Sequence, residues 1–240
     1  MTTLFISDLH IDASRPAITR QFLSFLRTEA KGAEALYILG DLFESWVGDD
    51  APDPAQSAAI TGLHALTSSG VPCFVMHGNR DFLLGAQFCA MSGAQLLADP
   101  LIITLYGEPA LVMHGDALCT DDRAYQRLRS TVRDAEWQRQ FLALSVTARR
   151  ALAGAARVGS RAHTAAMEYA ITDVNADSVA SVLRAAGTAM LLHGHTHRPA
   201  VHPLQIDGRS CTRIVLGDWY TQGSLLRWDR DGPRLFALER

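Results

Sequence analysis

Four histidines and three Asp or Asn residues recur in this chain in short motifs that could bind metal ions. They are Asp8, His10, Asp41, Asn79, His114, His195 and His197. Mixed oxygen and nitrogen donors without thiolate suit Mn, Fe, Zn or Co better than a calcium cage or an iron–sulfur cluster. Two such ions roughly 3.5 to 4 Å apart would polarise a phosphoryl group and activate a water that attacks it. The set predicts a two-metal phosphoesterase.

The spacing within two of the motifs predicts shared ligation. Asp8 and His10 are two residues apart, and so are His195 and His197. Residues two apart on an extended segment point to the same face, so each pair is expected to reach one cation. Gly194, just before the second pair, would permit a tight approach of the backbone.

Three further motifs complete the set. Asp41 brings two carboxylate oxygens that can bridge two ions, Asn79 brings an amide oxygen beside Gly78, and His114 brings an imidazole. One such motif alone is usually a turn, because turns use the same residue types. All of them in this order, each after an apolar run, indicate a metal centre. We interpret four other histidines as ordinary: His64, His77, His163 and His202.

Short apolar runs precede the polar motifs and predict buried strands. They cover residues 4–6, 36–39, 73–76, 111–113, 190–192 and 214–216. Between the first runs, apolar residues recur with helical period, at Ile18, Phe22, Phe25 and Leu26 and at Ile60, Leu63 and Leu66. This alternation predicts an α/β fold. Ligands of α/β sheets bind beyond the carboxyl ends of strands, so the motifs should converge there.

The segment 121–170 breaks the alternation, since it is helix-rich, lacks Pro and carries nine arginines against five acidic residues. We expect it to be a helical cap inserted into a single 240-residue domain. Two interpretations of its apolar side chains stay open: they pack on the core, or they form an amphipathic surface for acyl chains or a membrane interface. The apolar residues are Trp137, Phe141, Leu142, Leu144, Val146 and Leu152.

Composition limits the possible partners. The chain is 48% hydrophobic and 20% charged, with a net charge of -3, so nothing attracts it as a whole to nucleic acid or to an anionic membrane. No apolar run approaches the roughly 20 residues that cross a bilayer. The widely spaced cysteines and the absence of a signal peptide favour a reduced, cytoplasmic setting, and the thiols are interpreted as small buried hydrophobes. No obligate protein partner is indicated.

Together, the motifs resemble the calcineurin-like metallophosphoesterase superfamily across most of the chain. The motifs are Asp8-x-His10, Gly40-Asp41, Gly78-Asn79, His114 and Gly194-His195-x-His197. The resemblance implies an αββα sandwich of two mixed sheets. It also implies that one ion is held by Asp8, His10 and His197, that the other is held by Asn79, His114 and His195, and that Asp41 bridges both.

One departure narrows the resemblance. Many superfamily members carry His after the motif Asn, whereas this chain has Arg80, a permanent cation. With the stretches 5–10, 37–44, 76–82 and 215–219, it resembles the family of UDP-2,3-diacylglucosamine pyrophosphatases. This implies hydrolysis of the UDP-linked lipid by an activated water, with two Mn²⁺ ions, giving UMP and 2,3-diacylglucosamine 1-phosphate in lipid A synthesis. It also implies work at the cytoplasmic face of the inner membrane, as a peripheral protein.

The same resemblance implies roles for individual residues. Catalysis is assigned to Asp41, Asn79, Arg80 and His195. Substrate contacts are assigned to Asn79, Arg80, Asp122, Tyr125, Arg157, Ser160 and His195, and to Thr164 and Met167, where relatives often have Asn and Lys. Alternatives stay open: Arg80 and Arg157 could be solvated charges, and Asp122 and Ser160 could be helix caps. Three more acids are expected to hold imidazoles or loops: Asp81, Asp116 and Asp218.

Two other functions would use the same motifs differently. The metals could act on another nucleotide diphosphate, a cyclic nucleotide or a nucleic acid, although an apolar helical segment argues against nucleic acid. Alternatively, the chain could be a scaffold that keeps the fold without catalysis. A complete set of seven ligands argues against the scaffold.

Overall fold

The computed structural model describes residues 2–166, 173–221 and 223–238. Side chains are described up to residue 159 in the first range and throughout the other two. In these ranges, eleven strands form two mixed sheets. The strands are β1 (Thr3–Ile6), β2 (Ala35–Ile38), β3 (Cys73–Met76), β4 (Gln95–Leu97), β5 (Leu101–Leu105), β6 (Glu108–Met113), β7 (Met190–His193), β8 (Ala200–Ile206), β9 (Arg209–Val215), β10 (Gly223–Asp229) and β11 (Gly232–Leu238). All six predicted strands are confirmed.

Helices connect and cover the strands. They are α1 (Pro16–Arg27), α2 (Pro54–Ser68), α3 (Ala86–Ser92), α4 (Arg123–Val132), α5 (Ala135–Leu142), α6 (Val146–Ala166) and α7 (Ala176–Ala186), with short 3-10 helices at Ala30–Gly32 and Asp116–Leu118. None of the helices in the described ranges is long and apolar enough to cross a membrane.

The sheet order places the strand ends that carry the motifs along shared edges. The first sheet runs β11-β10-β1-β2-β3-β4, with β1 to β4 parallel, and the second runs β5-β6-β7-β9-β8, with β6, β7 and β9 parallel. Because parallel strands end on the same side, the polar residues after β1, β2 and β3 lie together, as do those after β6 and β7. The predicted pair of mixed sheets is confirmed.

Alternation along the strands divides the core in two. Leu4 and Ile6 of β1 face the cluster under α1 and α2, whereas Phe5, between them, faces the cluster that joins the two sheets. The predicted faces of α1 and α2 are buried as expected. Asp53 begins α2 with a capping box, accepting bonds from the backbone of Ala55 and Gln56.

Three helices, α4 to α6, occupy most of the predicted cap segment. Asp122 and Asp134 cap α4 and α5, each accepting a 2.9 Å bond from a backbone N–H three residues on. Phe141 is buried, and Trp137 stacks on it with ring centroids 5.1 Å apart. Both residues contact the core beneath, so for these two the packing interpretation describes the structure. The extent of the cap, 121–170, stays a prediction.

Candidate metal centre

The carboxyl ends of five strands bring all seven predicted ligands together. By strand, they are Asp8 and His10 after β1, Asp41 after β2, Asn79 after β3, His114 after β6, and His195 and His197 after β7. Most of them are shielded from solvent, and the fully buried members include Asp8 and His114. Residues nearly 190 positions apart in the chain are therefore neighbours.

Asp8, His10 and His197 form the first half of the site. His10 Nε2 lies 3.2 Å from His197 Nε2, which lies 3.3 Å from Asp8 Oδ1. The three donor atoms all lie within 4.8 Å of one another, so one cation could contact all of them.

Asn79, His114 and His195 form the second half. Asn79 Oδ1 lies 3.0 Å from His114 Nε2 and 3.0 Å from His195 Nδ1. The amide oxygen and two ring nitrogens thus face one point.

Asp41 lies between the halves, with one carboxylate oxygen toward each. Its Oδ2 is 3.7 Å from His10 Nε2, and its Oδ1 is 3.8 Å from His114 Nε2. This orientation supports the predicted bridging role.

The backbone reaches this geometry through left-handed residues. Positive φ occurs at seven non-glycine residues of the described chain, and five of them are predicted ligands, with φ between 51° and 66°. They are Asp8, His10, Asp41, His195 and His197. Such conformations cost of order 1–3 kcal/mol each and concentrate at functional sites. The expectation that each histidine motif extends a strand is wrong, because β1 ends at Ile6 and β7 at His193. Tight loops bring the paired ligands together.

Two glycines permit the close approach of these loops. A Cβ at Gly78 would collide with the backbone and carboxylate of Asp41, and one at Gly194 would collide with Ser7 and Asp8. Neither neighbour can move without displacing a predicted ligand. The prediction of tight backbone approach at Gly194 is confirmed, and Gly78 makes a second close approach.

Hydrogen bonds orient the donor atoms. Asp8 Oδ2 accepts bonds from Ser7 Oγ at 2.5 Å and from the backbone N–H of His195 at 2.9 Å. Asp8 Oδ1 is buried without a hydrogen bond and faces His197. His114 Nδ1 lies 2.9 Å from the carbonyl oxygen of Leu39, which fixes Nε2 as the atom facing the cluster.

The electrostatics of the cluster fit bound cations. Burial by itself would lower the pKa of His114, but the charges of Asp41, Asp116 and Asp8 outweigh it and raise that pKa to about 9. Burial and the charge of His114 lower the pKa of His195 to about 4, which keeps that imidazole neutral and able to ligate. Asp8 Oδ1 has no hydrogen-bond donor, and the carboxylates around His114 attract positive charge. Both features are expected of a site that binds divalent ions.

Comparison with known proteins agrees with this geometry. The family model described as calcineurin-like phosphoesterase matches residues 1–199. This chain belongs to that family. A solved archaeal phosphodiesterase of 11% identity, covering 99% of this chain and 100% of its own, superposes with a TM-score of 0.50 and shares the fold.

The curated relatives of this phosphoesterase are similar over their full lengths. A UDP-2,3-diacylglucosamine hydrolase of Xanthomonas axonopodis pv. citri is 54% identical over 245 residues, with 99% of each chain covered. A protein of the same name from Stenotrophomonas maltophilia is 53% identical over 247 residues, with 100% of each chain covered.

Three acids that support this phosphoesterase site differ in what they hold. Asp218 Oδ2 lies 3.4 Å from His197 Nδ1. Asp81 accepts bonds from the backbone of Gly78 and Phe43 and so ties two site loops together. The third acid, Asp116, holds helix α4.

Asp116 fixes α4 beside the centre. Its fully buried Oδ2 accepts bonds from Tyr125 Oη at 2.7 Å and from Arg129 Nε at 2.8 Å. The Tyr125 ring in turn stacks on His195, with centroids 5.9 Å apart. Asp116 thus positions α4 rather than an imidazole.

Sequence reasoning missed the role of Glu44, Arg129 and Arg133. Burial opposes ionisation of Glu44, but a hydrogen bond from His10 and the charge of Arg157 lower its pKa to about 2. Arg133 donates a 2.9 Å bond to the carbonyl oxygen of Gly78. Glu44 is in the motif region, but nothing in its spacing distinguishes a buried acid from a surface one.

A cavity of about 600 Å³ opens from the metal centre toward α4, α5 and α6. Four predicted substrate contacts line its polar end: Asn79, Arg80, Tyr125 and Arg157. Arg80 also donates its backbone N–H to Asp41 Oδ1 at 2.8 Å. The structure therefore brings these four residues to one surface.

Of the other predicted contacts, His195 lies in the metal centre beside Asn79. Asp122 caps α4, which matches the alternative interpretation of that residue. The side chains of Ser160 and Thr164, and the whole of Met167, lie outside the described part of the chain.

Proposed function

We propose that this chain hydrolyses the pyrophosphate bond of UDP-2,3-diacylglucosamine, giving UMP and 2,3-diacylglucosamine 1-phosphate in lipid A synthesis. The observation that carries the proposal is the apolar cavity that begins at the metal centre. A phosphoesterase of small polar nucleotides has no use for such a cavity, whereas a diacylated substrate needs one. The name of the full-length relatives supports the same substrate.

The proposed cofactor is a pair of Mn²⁺ ions, for which the donor set is suited. Asp8, His10 and His197 would hold one ion, and Asn79, His114 and His195 the other. Asp41, whose two oxygens face the two halves of the site, would help to hold both ions. When bound, the ions supply positive charge that polarises the phosphoryl group and acidifies the attacking water.

Side chains around the ions would bind and orient the reacting phosphates. Arg80 is a permanent cation at the polar end of the cavity, so it can neutralise phosphoryl charge but cannot readily donate a proton. The amide oxygen of Asn79 lies 3.0 Å from ring nitrogens of His195 and His114, so it would face the same ion as they do. A charged hydrogen bond from arginine contributes about 1.5 to 3 kcal/mol.

The apolar end of the cavity would receive the acyl chains. Its lining combines residues that also pack on the core, such as Trp137 and Phe141, with leucines that are largely exposed. Leu128 is 54% exposed, Leu144 is 41% exposed and Leu152 is 52% exposed. Exposed apolar side chains facing a cavity gain stability when a hydrocarbon chain covers them.

The helical segment 121–170 is proposed to be an inserted cap that also meets the membrane surface. Of the eight large hydrophobic residues that are exposed in the described chain, five lie on α4 to α6 or between them. Leu128, Leu144 and Leu152 line the cavity, whereas Leu142 and Val158 are outside its lining and form the outer apolar surface. Such a surface supports peripheral binding at the cytoplasmic face of the inner membrane, where the lipid substrate lies.

A three-substrate assay tests the proposal. Purified full-length protein with Mn²⁺ is given detergent-dispersed UDP-2,3-diacylglucosamine, UDP-glucose or bis(p-nitrophenyl) phosphate, and products are followed by ³¹P NMR. We expect UMP from the lipid, far faster turnover of the lipid than of UDP-glucose, and loss of activity on chelation. Turnover of the aryl diester without turnover of the lipid would contradict the proposed substrate but would still support the metal centre. Inactivity on all three would favour a scaffold.

A further inference from the structure

Glu44 lies where the proposed metal centre meets the helical segment. It follows Asp41 by three residues, and its side chain is only 3% exposed. Oε2 lies 3.2 Å from His10 Nδ1, and Oε1 lies 2.7 Å from Arg157 Nε. One buried carboxylate therefore contacts both a predicted metal ligand and a side chain of α6.

On the metal side, Glu44 selects the ring nitrogen of His10 that is free to ligate. The negative charge of Glu44 Oε2, 3.2 Å away, favours the tautomer that carries its proton on Nδ1, which leaves the lone pair on Nε2. His10 Nε2 points into the ligand cluster, 3.7 Å from Asp41 Oδ2. A carboxylate behind a ligating histidine fixes its tautomer and ring orientation.

Two further side chains keep this arrangement rigid. Tyr220 Oη donates to Glu44 Oε2 at 3.3 Å, and its ring stacks on His10 with centroids 5.2 Å apart. The guanidinium of Arg15 lies over the Tyr220 ring, 4.3 Å from its centre. The imidazole of His10 is thus held on its ring face as well as at Nδ1.

On the α6 side, Glu44 holds Arg157 at the polar end of the cavity. Arg157 Nη1 lies 3.5 Å from Asp12 Oδ2, so two acids of the core hold one guanidinium. Glu44 is the nearer and the more buried of the two acids. Removing the charge of Glu44 would weaken its contact with Arg157 and its contact with His10 Nδ1 together.

We propose that Glu44 is a positioning residue that couples metal binding at His10 to the placement of Arg157 over the cavity. The inference rests on the proposed metal centre. Because one carboxylate makes both contacts, a cation on His10 strengthens the attraction between Nδ1–H and Glu44 and thereby favours the position of Glu44 that holds Arg157. Metal binding and lipid binding should then fall together when Glu44 is changed.

The test compares Glu44→Gln with the matched control Asp12→Asn. The introduced glutamine keeps the volume of Glu44, but its amide NH₂ must face either His10 or Arg157, which both donate. Calorimetric titration of the full chain with Mn²⁺ should show roughly 10–100-fold weaker binding for Glu44→Gln, with a raised KM for the lipid. Asp12→Asn removes the other acid from Arg157 without touching His10, so it should raise KM alone.

The outcomes separate this inference from the metal centre itself. If Glu44→Gln binds Mn²⁺ as tightly as the unaltered chain, the inference is overturned. If the unaltered chain binds no Mn²⁺, the proposed metal centre is wrong, and the inference about Glu44 is wrong with it. Should the variant not fold, ¹⁵N NMR of the metal-free wild type still decides: we expect His10 protonated on Nδ1, and protonation on Nε2 alone would overturn the inference.

Discussion

Asp41 combines a bridging orientation of its side chain with a strained backbone. Each of its carboxylate oxygens faces a different half of the site, and its backbone is left-handed, with φ of 52°. Strained backbone at a residue with that orientation is consistent with function, because such strain persists only where the surrounding structure compensates for it.

Asp41→Asn should therefore remove most of the activity and keep the fold. Asn tolerates the left-handed region, so the backbone is preserved while the bridging charge is lost. Charge stabilisation by such ions is worth several kcal/mol, and about 1.36 kcal/mol corresponds to tenfold in rate, so UMP release should fall on the order of a thousandfold.

Asp207 provides the matched control for this substitution. It has the same φ of 52°, but its carboxylate is 65% exposed and pairs with Arg184 far from the site. Asp207→Asn should leave UMP release unchanged. Equal rates for the two variants would contradict the bridging role of Asp41.

Residue types were predictable from the sequence, and residue conformations were not. Oxygen and nitrogen donors in ordered motifs identify ligands such as Asp8 and His114, because metal chemistry restricts the choice of side chain. The left-handed backbone at Asp8 and His10 depends on the loops that cross there, and no local pattern of residues encodes it. Glu44 was missed for the same reason, since its burial depends on α6.

At the scale of elements, apolar runs that end in polar motifs located six strands correctly. Strands without a motif, such as β8 and β10, were not predicted. A signal for β8 and β9 was present, because Asp207-Gly208 joins them as a two-residue hairpin turn with positive φ at both residues. Helix period located α1 and α2, whose buried faces are continuous.

The helical segment carries a prediction that separates its two proposed uses. Leu144 lines the cavity, whereas Leu142, two residues earlier and equally exposed at 41%, does not. Leu144→Ser should raise KM for detergent-dispersed lipid roughly tenfold, since covering a leucine is worth about 1.5 to 3 kcal/mol. Leu142→Ser together with Val158→Ser should leave that KM unchanged and weaken flotation with phospholipid vesicles.

If Leu144→Ser weakened vesicle flotation alone and the Leu142/Val158 variant raised KM alone, the cavity role and the membrane role would both be wrong. Trp137 and Phe141 are unsuitable for this test. Phe141 is buried and both residues contact the core, so polar substitution there would destabilise the fold. If Leu144→Ser and the Leu142/Val158 variant behave alike in both assays, the cavity and the outer surface have no separate roles.

At the scale of the whole molecule, the sequence predicted the convergence of the motifs at strand ends better than it predicted the cavity beside them. Parallel strands determine where the ligands meet, and that follows from topology. The 600 Å³ cavity depends on how three helices lie over the centre, and on tertiary contacts such as Asp116 with Tyr125 and Arg129. Those contacts join parts of the chain whose packing has no local signature.

The most direct test of the central claim is to titrate Mn²⁺ into protein stripped by chelation while UMP release from UDP-2,3-diacylglucosamine is measured. Two half-sites joined by Asp41 predict no release without metal and a rise that reaches its plateau at two equivalents of Mn²⁺ per chain. Full-rate release from the stripped protein, or a plateau at one equivalent, would contradict a two-metal phosphoesterase.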